Sequence, residues 1–312
     1  MSDPLQSNFF HPKPETENRK LFVGPAGWDY PDWRGLVYPP SVRGTDRLAF
    51  LATLFPVVEI NVTFYRPIAP RDAERWLAAV AAAPKFRFTA KLWQLFTHER
   101  RLDEPELALF RAGLEPLREK GRLGALLAQF PYSFHNTEEN RNYLGRLKSH
   151  WADFPLTVEV RHRSWQQREV REFLAAAGLD FCNIDQPMVS YPLGATRWVT
   201  GSRGYLRCHG RRKESWFEFG EERAARYDYL YSPEELEALA DRTRELLAQA
   251  TATYVIFNNH PAGQAVANAL ELRHILDPAF HPTLPVCLTT AFPRLSGWSK
   301  VENAREDASL FN

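Results

Sequence analysis

Eight short runs of strand character recur along this chain, and a stretch with helical spacing separates nearly every pair of them. The strand-like runs cover 21–24, 57–61, 86–91, 124–130, 156–162, 180–185, 204–209 and 253–258. Helical periodicity of apolar residues marks 46–55, 71–82, 104–120, 137–151, 167–177, 232–250 and 264–276, with none after the sixth run. Strands that alternate with helices pair in parallel, and eight such units in about 260 residues predict a (β/α)8 TIM-type barrel, an α/β fold in a single domain. The barrel is expected over residues 20–277, with 1–19 as a loosely ordered N-terminal arm and 278–312 as a C-terminal tail. A doubly wound open sheet is the rival, but it uses fewer strands and an early Gly-rich phosphate turn. Gly24-Pro25-Ala26-Gly27 is not that fingerprint.

Two helix starts carry chemical signatures. Ser232-Pro233-Glu234-Glu235 places Ser at the N-cap, Pro at the first helical position and Glu at the capping-box position. Thr137 stands where it would cap the helix before 151. Within 104–120, Gly113 and Pro116 are expected to weaken or break the helix.

The fold predicts where chemistry sits, because barrel enzymes build their sites at the C-terminal ends of the strands. The fifth run, Leu156-Thr157-Val158-Glu159-Val160-Arg161-His162, is the most telling. A buried parallel strand should be nearly all apolar, yet two opposite charges fall two residues apart and so share a face. The same spacing recurs at Glu59 and Asn61, and at Arg207 and His209. Groups of this kind, left unpaired away from water, cost several kcal/mol each, so they must pair, bind a ligand, or do both. Lys91, Arg161 and Arg207 suit an anion, which a guanidinium grips in bidentate fashion. Asn61, Tyr65, Gln129, Asn258, Asn259 and Trp28 are the further expected substrate-binding residues. Glu159 or Glu59 is the expected general base and His209 the acid. The bland alternative is an ion-pair lattice that merely closes the barrel top.

Two other functional classes stay open. Glu159, Asp185, His209 and His260 suit a divalent ion in ligand type, with Asp185 and His260 as the positions added for a metal-dependent hydrolase or isomerase. No H-x-H or H-E-x-x-H spacing supports it, and the nearby cations oppose it, so no cofactor is assigned. Residues 210–231 mix Arg211, Arg212, Lys213, Trp216, Phe217, Arg223, Arg226, Tyr227 and Tyr229 with four glutamates. Such a loop would lid a polyanion, which makes a nucleic-acid-binding or repair-associated protein the second expectation. The net charge of +1 provides no global field toward nucleic acid. Neither Ser164 nor Ser190 lies in a nucleophile elbow. No apolar run approaches the roughly 20 residues that span a bilayer, so no membrane partner is expected. The N-terminus lacks a secretory core, and three scattered cysteines fit a reducing cytoplasm. Substrate, reaction and oligomeric state are not written in these patterns.

Taken together, the motifs resemble a known family. Gly27-Trp28-x-Tyr30-x-x-Trp33-x-Gly35, Val58-Glu59-Ile60-Asn61-x-Thr63-Phe64-Tyr65 and Lys91 with Thr97-His98 come first. Gln129-Phe130-Pro131, Glu159-Val160-Arg161-His162-x-Ser164-Trp165, Tyr205-x-Arg207-x-His209-Gly210 and Phe257-Asn258-Asn259-His260 follow in order. The chain is similar over about residues 21–276 to the YecE-like family, also called domain of unknown function 72. That resemblance implies a TIM-type barrel and a site at these motifs, and supplies no reaction. His260 departs from the family's pattern, where an acidic residue is usual.

Overall fold

A computed structural model describes residues 19–213 and 225–302. All eight long strands are parallel: β1 (Lys20–Pro25), β2 (Val57–Ile60), β3 (Arg87–Lys91), β4 (Leu123–Gln129), β5 (Leu156–Glu159), β6 (Asp180–Asp185), β7 (Arg203–Cys208) and β8 (Ala252–Phe257). They follow the order β1-β8-β7-β6-β5-β4-β3-β2, and the two ends meet through one parallel bridge between Ala26 and Glu59. The sheet is thereby a nearly closed barrel. Gly24 permits the approach at this seam, since a Cβ there would stand 2.0 Å from the Val57 carbonyl oxygen.

Helices α1 (Asp46–Leu54), α2 (Pro70–Ala79), α3 (Gln94–Thr97), α4 (Glu104–Glu119), α5 (Glu138–His150), α6 (Arg168–Ala176), α7 (Pro233–Leu247) and α8 (Gln264–Leu276) connect the strands. Their inward faces bury Leu, Val and Phe against the sheet, as Leu107, Phe110, Leu114 and Leu117 do in α4. Each such side chain contributes roughly 1.5–3 kcal/mol of transfer free energy. Helix α4 runs on through Pro116 to Glu119. At α7 the expected capping box is present in both directions, with Ser232 Oγ accepting from Glu235 N and Glu235 Oε2 from Ser232 N. Thr137 caps α5 by accepting from Asn140 N at 3.2 Å.

Between β6 and β7 the chain makes no helix. Its backbone is satisfied instead by side chains: Asn183 exchanges two hydrogen bonds with Trp198, and Arg242 of α7 donates to Thr196 O at 2.7 Å. After α8 the chain adds β9 (Thr283–Leu284), α9 (Val286–Ala291) and β10 (Lys300–Val301). Leu284, Leu288 and Leu295 from this segment have no exposed surface and join the common core. The arm at 1–18 lies outside the described residues.

Candidate functional site

A guanidinium on the barrel axis organises the mouth. On β7 the alternating residues Tyr205, Arg207 and His209 face inward, and Arg207 has no exposed surface. Its Nη1 donates to Glu159 Oε2 at 2.6 Å and to Gln129 Oε1 at 3.0 Å. Its Nη2 donates to Glu59 Oε1 at 2.7 Å and to Asn258 Oδ1 at 3.2 Å. Four strands thus converge on one side chain. Tyr205 donates to the other oxygen of Glu59 at 3.0 Å, and its own oxygen lies 3.0 Å from Thr89 Oγ1. Glu159 Oε1 accepts from Arg161 Nη2 at 2.9 Å and stands 3.3 Å from His209 Nε2.

This arrangement sets the charges. Burial pushes Glu159 up, but Arg207, His209 and Arg161 outweigh it and hold its carboxyl well below the usual range. Burial lowers Arg207, and Glu159 and Glu59 more than reverse the effect, so the guanidinium stays charged. Burial takes His209 down to about 3, with Glu159 opposing. Asn258 fixes its tautomer: the Asn258 oxygen is taken by Arg207, so its Nδ2 donates to His209 Nδ1 at 3.2 Å and leaves the proton on Nε2 toward Glu159.

Lys91 is different. It extends from the end of β3, half-buried, with its ammonium 5.6 Å from the Phe64 ring centre. No carboxylate among the described residues lies within 4.0 Å of it. Burial and then Arg207 lower it to about 7, while Glu59 and Glu159 pull the other way. It is the one group of the cluster poised to exchange a proton near neutrality.

Eight expected residues therefore gather in one place: Glu59, Lys91, Gln129, Glu159, Arg161, Arg207, His209 and Asn258. Their expected roles need correction. Glu59 and Glu159 have no exposed surface and both oxygens of each are engaged, so neither is placed to take a substrate proton as general base. His209 is buried and neutral, with its one ring proton directed at Glu159, so it is not placed to hand a proton to a substrate. Arg207, also wholly buried, positions the two glutamates rather than gripping a ligand. The ion-pair lattice is real, and Lys91 stands outside it.

Asn61, Trp28 and Tyr65 flank the mouth on the side of β1 and β2, with Tyr65 59% exposed. Asn259 and Asp185 point out of the barrel. Asn259 donates to Asn268 and to Tyr229 O. Asp185 receives Arg211 in bidentate fashion, at 2.9 and 2.8 Å, and Tyr231 at 2.8 Å. His260 stacks on Tyr30, 4.4 Å away, and burial lowers it to about 4. The four-residue metal set imagined from the sequence is consequently split between two faces of the sheet. No cluster of three or more His, Cys, Asp or Glu side chains able to hold an ion occurs among the described residues.

The loop expected to act as a lid is tied down where it is described. Arg211 bridges Asp185 and Glu235, Arg212 pairs with Asp228 at 3.1 Å, and Tyr229 donates to Glu235 at 2.7 Å. Trp216, Phe217 and Arg223 lie outside the described residues. Tyr205 and Thr89 were not among the expected site residues. Extending the period of two inward from Arg207 and from Lys91 would have found both.

Eight parallel strands with charged side chains gathered at their C-terminal mouth define a TIM-type barrel protein. Comparison with known proteins carries this further: the model of the family described as "Protein of unknown function DUF72" matches residues 22–290. The chain belongs to that family. It is 29% identical over 280 residues to the "UPF0759 protein YunF" of Bacillus subtilis (strain 168), covering 85% of this chain and 98% of that one. A DUF72 family protein from Thermotoga maritima MSB8 superposes with a TM-score of 0.74 and 36% identity, covering 83% of this chain and all of that one. One from Enterococcus faecalis V583 gives 0.74 and 25%, covering 83% and 96%. No helix among the described residues is long and apolar enough to cross a membrane.

Proposed function

We propose that this barrel is an enzyme acting on a small anionic substrate, a phosphate or carboxylate ester or acid, received at the mouth by Lys91. One observation carries the reading: Lys91 is a half-buried ammonium with no carboxylate within 4.0 Å among the described residues, beside two glutamates already matched by Arg207 and Arg161. The mouth therefore has one positive charge in excess whenever Lys91 is protonated, and an anion would balance it. Near neutrality the same amine can lose its proton, so it serves as the proton carrier of the reaction. Hydrolysis of a phosphoester is the first reaction to assay. Glu159 and Arg207 hold Arg161 and Gln129 in place beside Lys91.

Thermal-shift titration with phosphate, sulfate and citrate tests this. Wild type is expected to gain stability with each anion that binds, Lys91→Arg to keep the response, and Lys91→Met to lose it. An unchanged response in Lys91→Met would remove the proposal.

A further inference from the structure

The loops that follow β4, β5 and β6, at residues 130–137, 160–167 and 186–202, join into one arc of the C-terminal rim. They contain no aspartate or glutamate, in a chain that has 38. The acids beside them in sequence are already engaged. Glu159 and Asp185 are buried and held by arginines, and Glu138, Glu139 and Glu169 meet the positive N-terminal ends of α5 and α6. Arg163 and Arg141, in contrast, have no carboxylate within 4.0 Å among the described residues. The half-buried Arg141 is fixed by donating its Nε to Asn136 Oδ1 at 2.7 Å.

The arc also presents aromatic faces that are backed from behind. His135 is exposed and stacks on His162, with ring centres 4.0 Å apart and planes at 28°. Burial, then His135 and Arg163, lower His162, so at neutral pH it meets a neighbouring ring without like-charge repulsion. Tyr191 is 62% exposed, with the Arg163 guanidinium 5.5 Å from its ring centre. These loops are tied to one another. Tyr191 N donates to the Tyr132 hydroxyl at 3.1 Å and Arg163 N to Tyr191 O at 3.0 Å. Leu193 N donates to Arg161 O at 2.7 Å, and Asn136 N to Ser164 Oγ at 2.9 Å. Ser190 takes left-handed backbone, at φ 59°, immediately before the exposed tyrosine. The rings are therefore held in place, and a ligand meets a surface whose ordering cost is already met.

Ring faces fixed outward beside guanidiniums, in loops without a carboxylate, suit a ligand that is both flat and repeatedly anionic. An acidic protein segment would use the charges and leave the rings without a flat counterpart. We infer that this arc docks single-stranded nucleic acid: a base continues the His162–His135 stack, another lies on Tyr191, and phosphates meet Arg163 and Arg141. This goes beyond the anion reading and does not rest on it, because Lys91 belongs to β3 and to none of these loops.

Fluorescence anisotropy of the full chain with a labelled strand of about 20 thymidines tests it, with salt varied from about 50 to 200 mM. The strand is expected to bind, and more weakly as salt rises. Tyr191→Ala and His135→Ala should each lower affinity about tenfold and keep the salt slope, while His135→Phe, which keeps a ring, stays near wild type. Arg163→Ala should lower both the affinity and the slope. All three side chains are exposed, so the core is left intact, and an unchanged melting temperature verifies it. An abasic sugar-phosphate strand of the same length should bind at least about tenfold more weakly. Absence of binding at the lowest salt, or equal binding of the abasic strand, would overturn the proposal. Displacement of the strand by polyglutamate of equal charge would overturn it too, and assign an acidic protein partner. Wild-type affinity in Tyr191→Ala, His135→Ala and Arg163→Ala would do the same. Lys91→Met is expected to bind the strand like wild type; if it alone lost the strand, the mouth would be the binding place and the arc would fall. Its response to phosphate decides the anion reading separately.

Discussion

Arg207 is the residue on which the site depends. It is buried completely with both carboxylates it serves, so its removal strands Glu59 without water or counter-charge and leaves Glu159 to Arg161 alone. Breaking a buried pair in this way costs about 3–5 kcal/mol. Arg207→Met is therefore expected to lower stability by at least that much in urea unfolding, and adding Glu59→Gln with Glu159→Gln should recover much of the loss. Equal instability of the single and triple variants would show that the guanidinium acts through shape rather than charge. Two neighbours make stability depend on pH. His209 is held at about 3 in the folded state against 6.5 as a free group, so the unfolded chain binds the extra proton first. Its contribution is whole above pH 6.5 and is lost as pH falls from there toward 3. Lys91, held at about 7 against 10.5, behaves likewise in a higher window: its contribution is lost as pH falls from 10.5 toward 7. Lys91→Met should thus be more stable than wild type at pH 6, with the gap closing as pH approaches 10.5. A gap that stays constant across that range would mean that Lys91 is not depressed.

Among the elements, legibility followed pattern strength. Strand β6 and helix α8 have the bounds read from the sequence, and the other long elements differ from their expected ends by a few residues, as α7 does at its C-terminal end. The capping box of α7 was readable because its residues are local, and Ser232→Ala should cost about 1 kcal/mol. Which face a polar residue takes was harder to read. On β7, Arg207 and His209 announced a shared face, and adjacent Asn258 and Asn259 must point opposite ways. On β6 every residue is buried, so no polar–apolar alternation told whether Asp185 looks inward. The sequence could say that Glu59, Glu159 and Arg207 needed partners, since unpaired burial is costly. It could not say that they would satisfy one another and leave Lys91 as the group without one. The segment beyond α8 carries few periodic residues, and its leucines act one at a time. Leu288→Ala in α9 should cost about 2–5 kcal/mol if that helix belongs to the barrel's cooperative unit. A cost near zero in denaturant unfolding would set the segment apart.

At the scale of the molecule, the barrel has a seam, and the candidate site sits on it. Around the rest of the barrel, neighbouring strands share ladders, six paired residues long between β7 and β8. Between β1 and β2 the described contact is one bridge, closed by Gly27 N donating to Glu59 O at 2.8 Å. A single bridge opens at less free energy than a ladder, so local opening should begin there. Glu59 is at once the seam's acceptor and a partner of Arg207, which couples the seam to the axial ion cluster. The residues on either side of the seam, Gly27 and Trp28 after β1 and Asn61 after β2, also line a cavity of about 470 Å3. Amide exchange is therefore expected to be faster at Gly27 than along β7 and β8. Protection at Gly27 equal to that of β7 would mean that the seam is as firm as the rest of the barrel, and the weak point would have to be sought elsewhere.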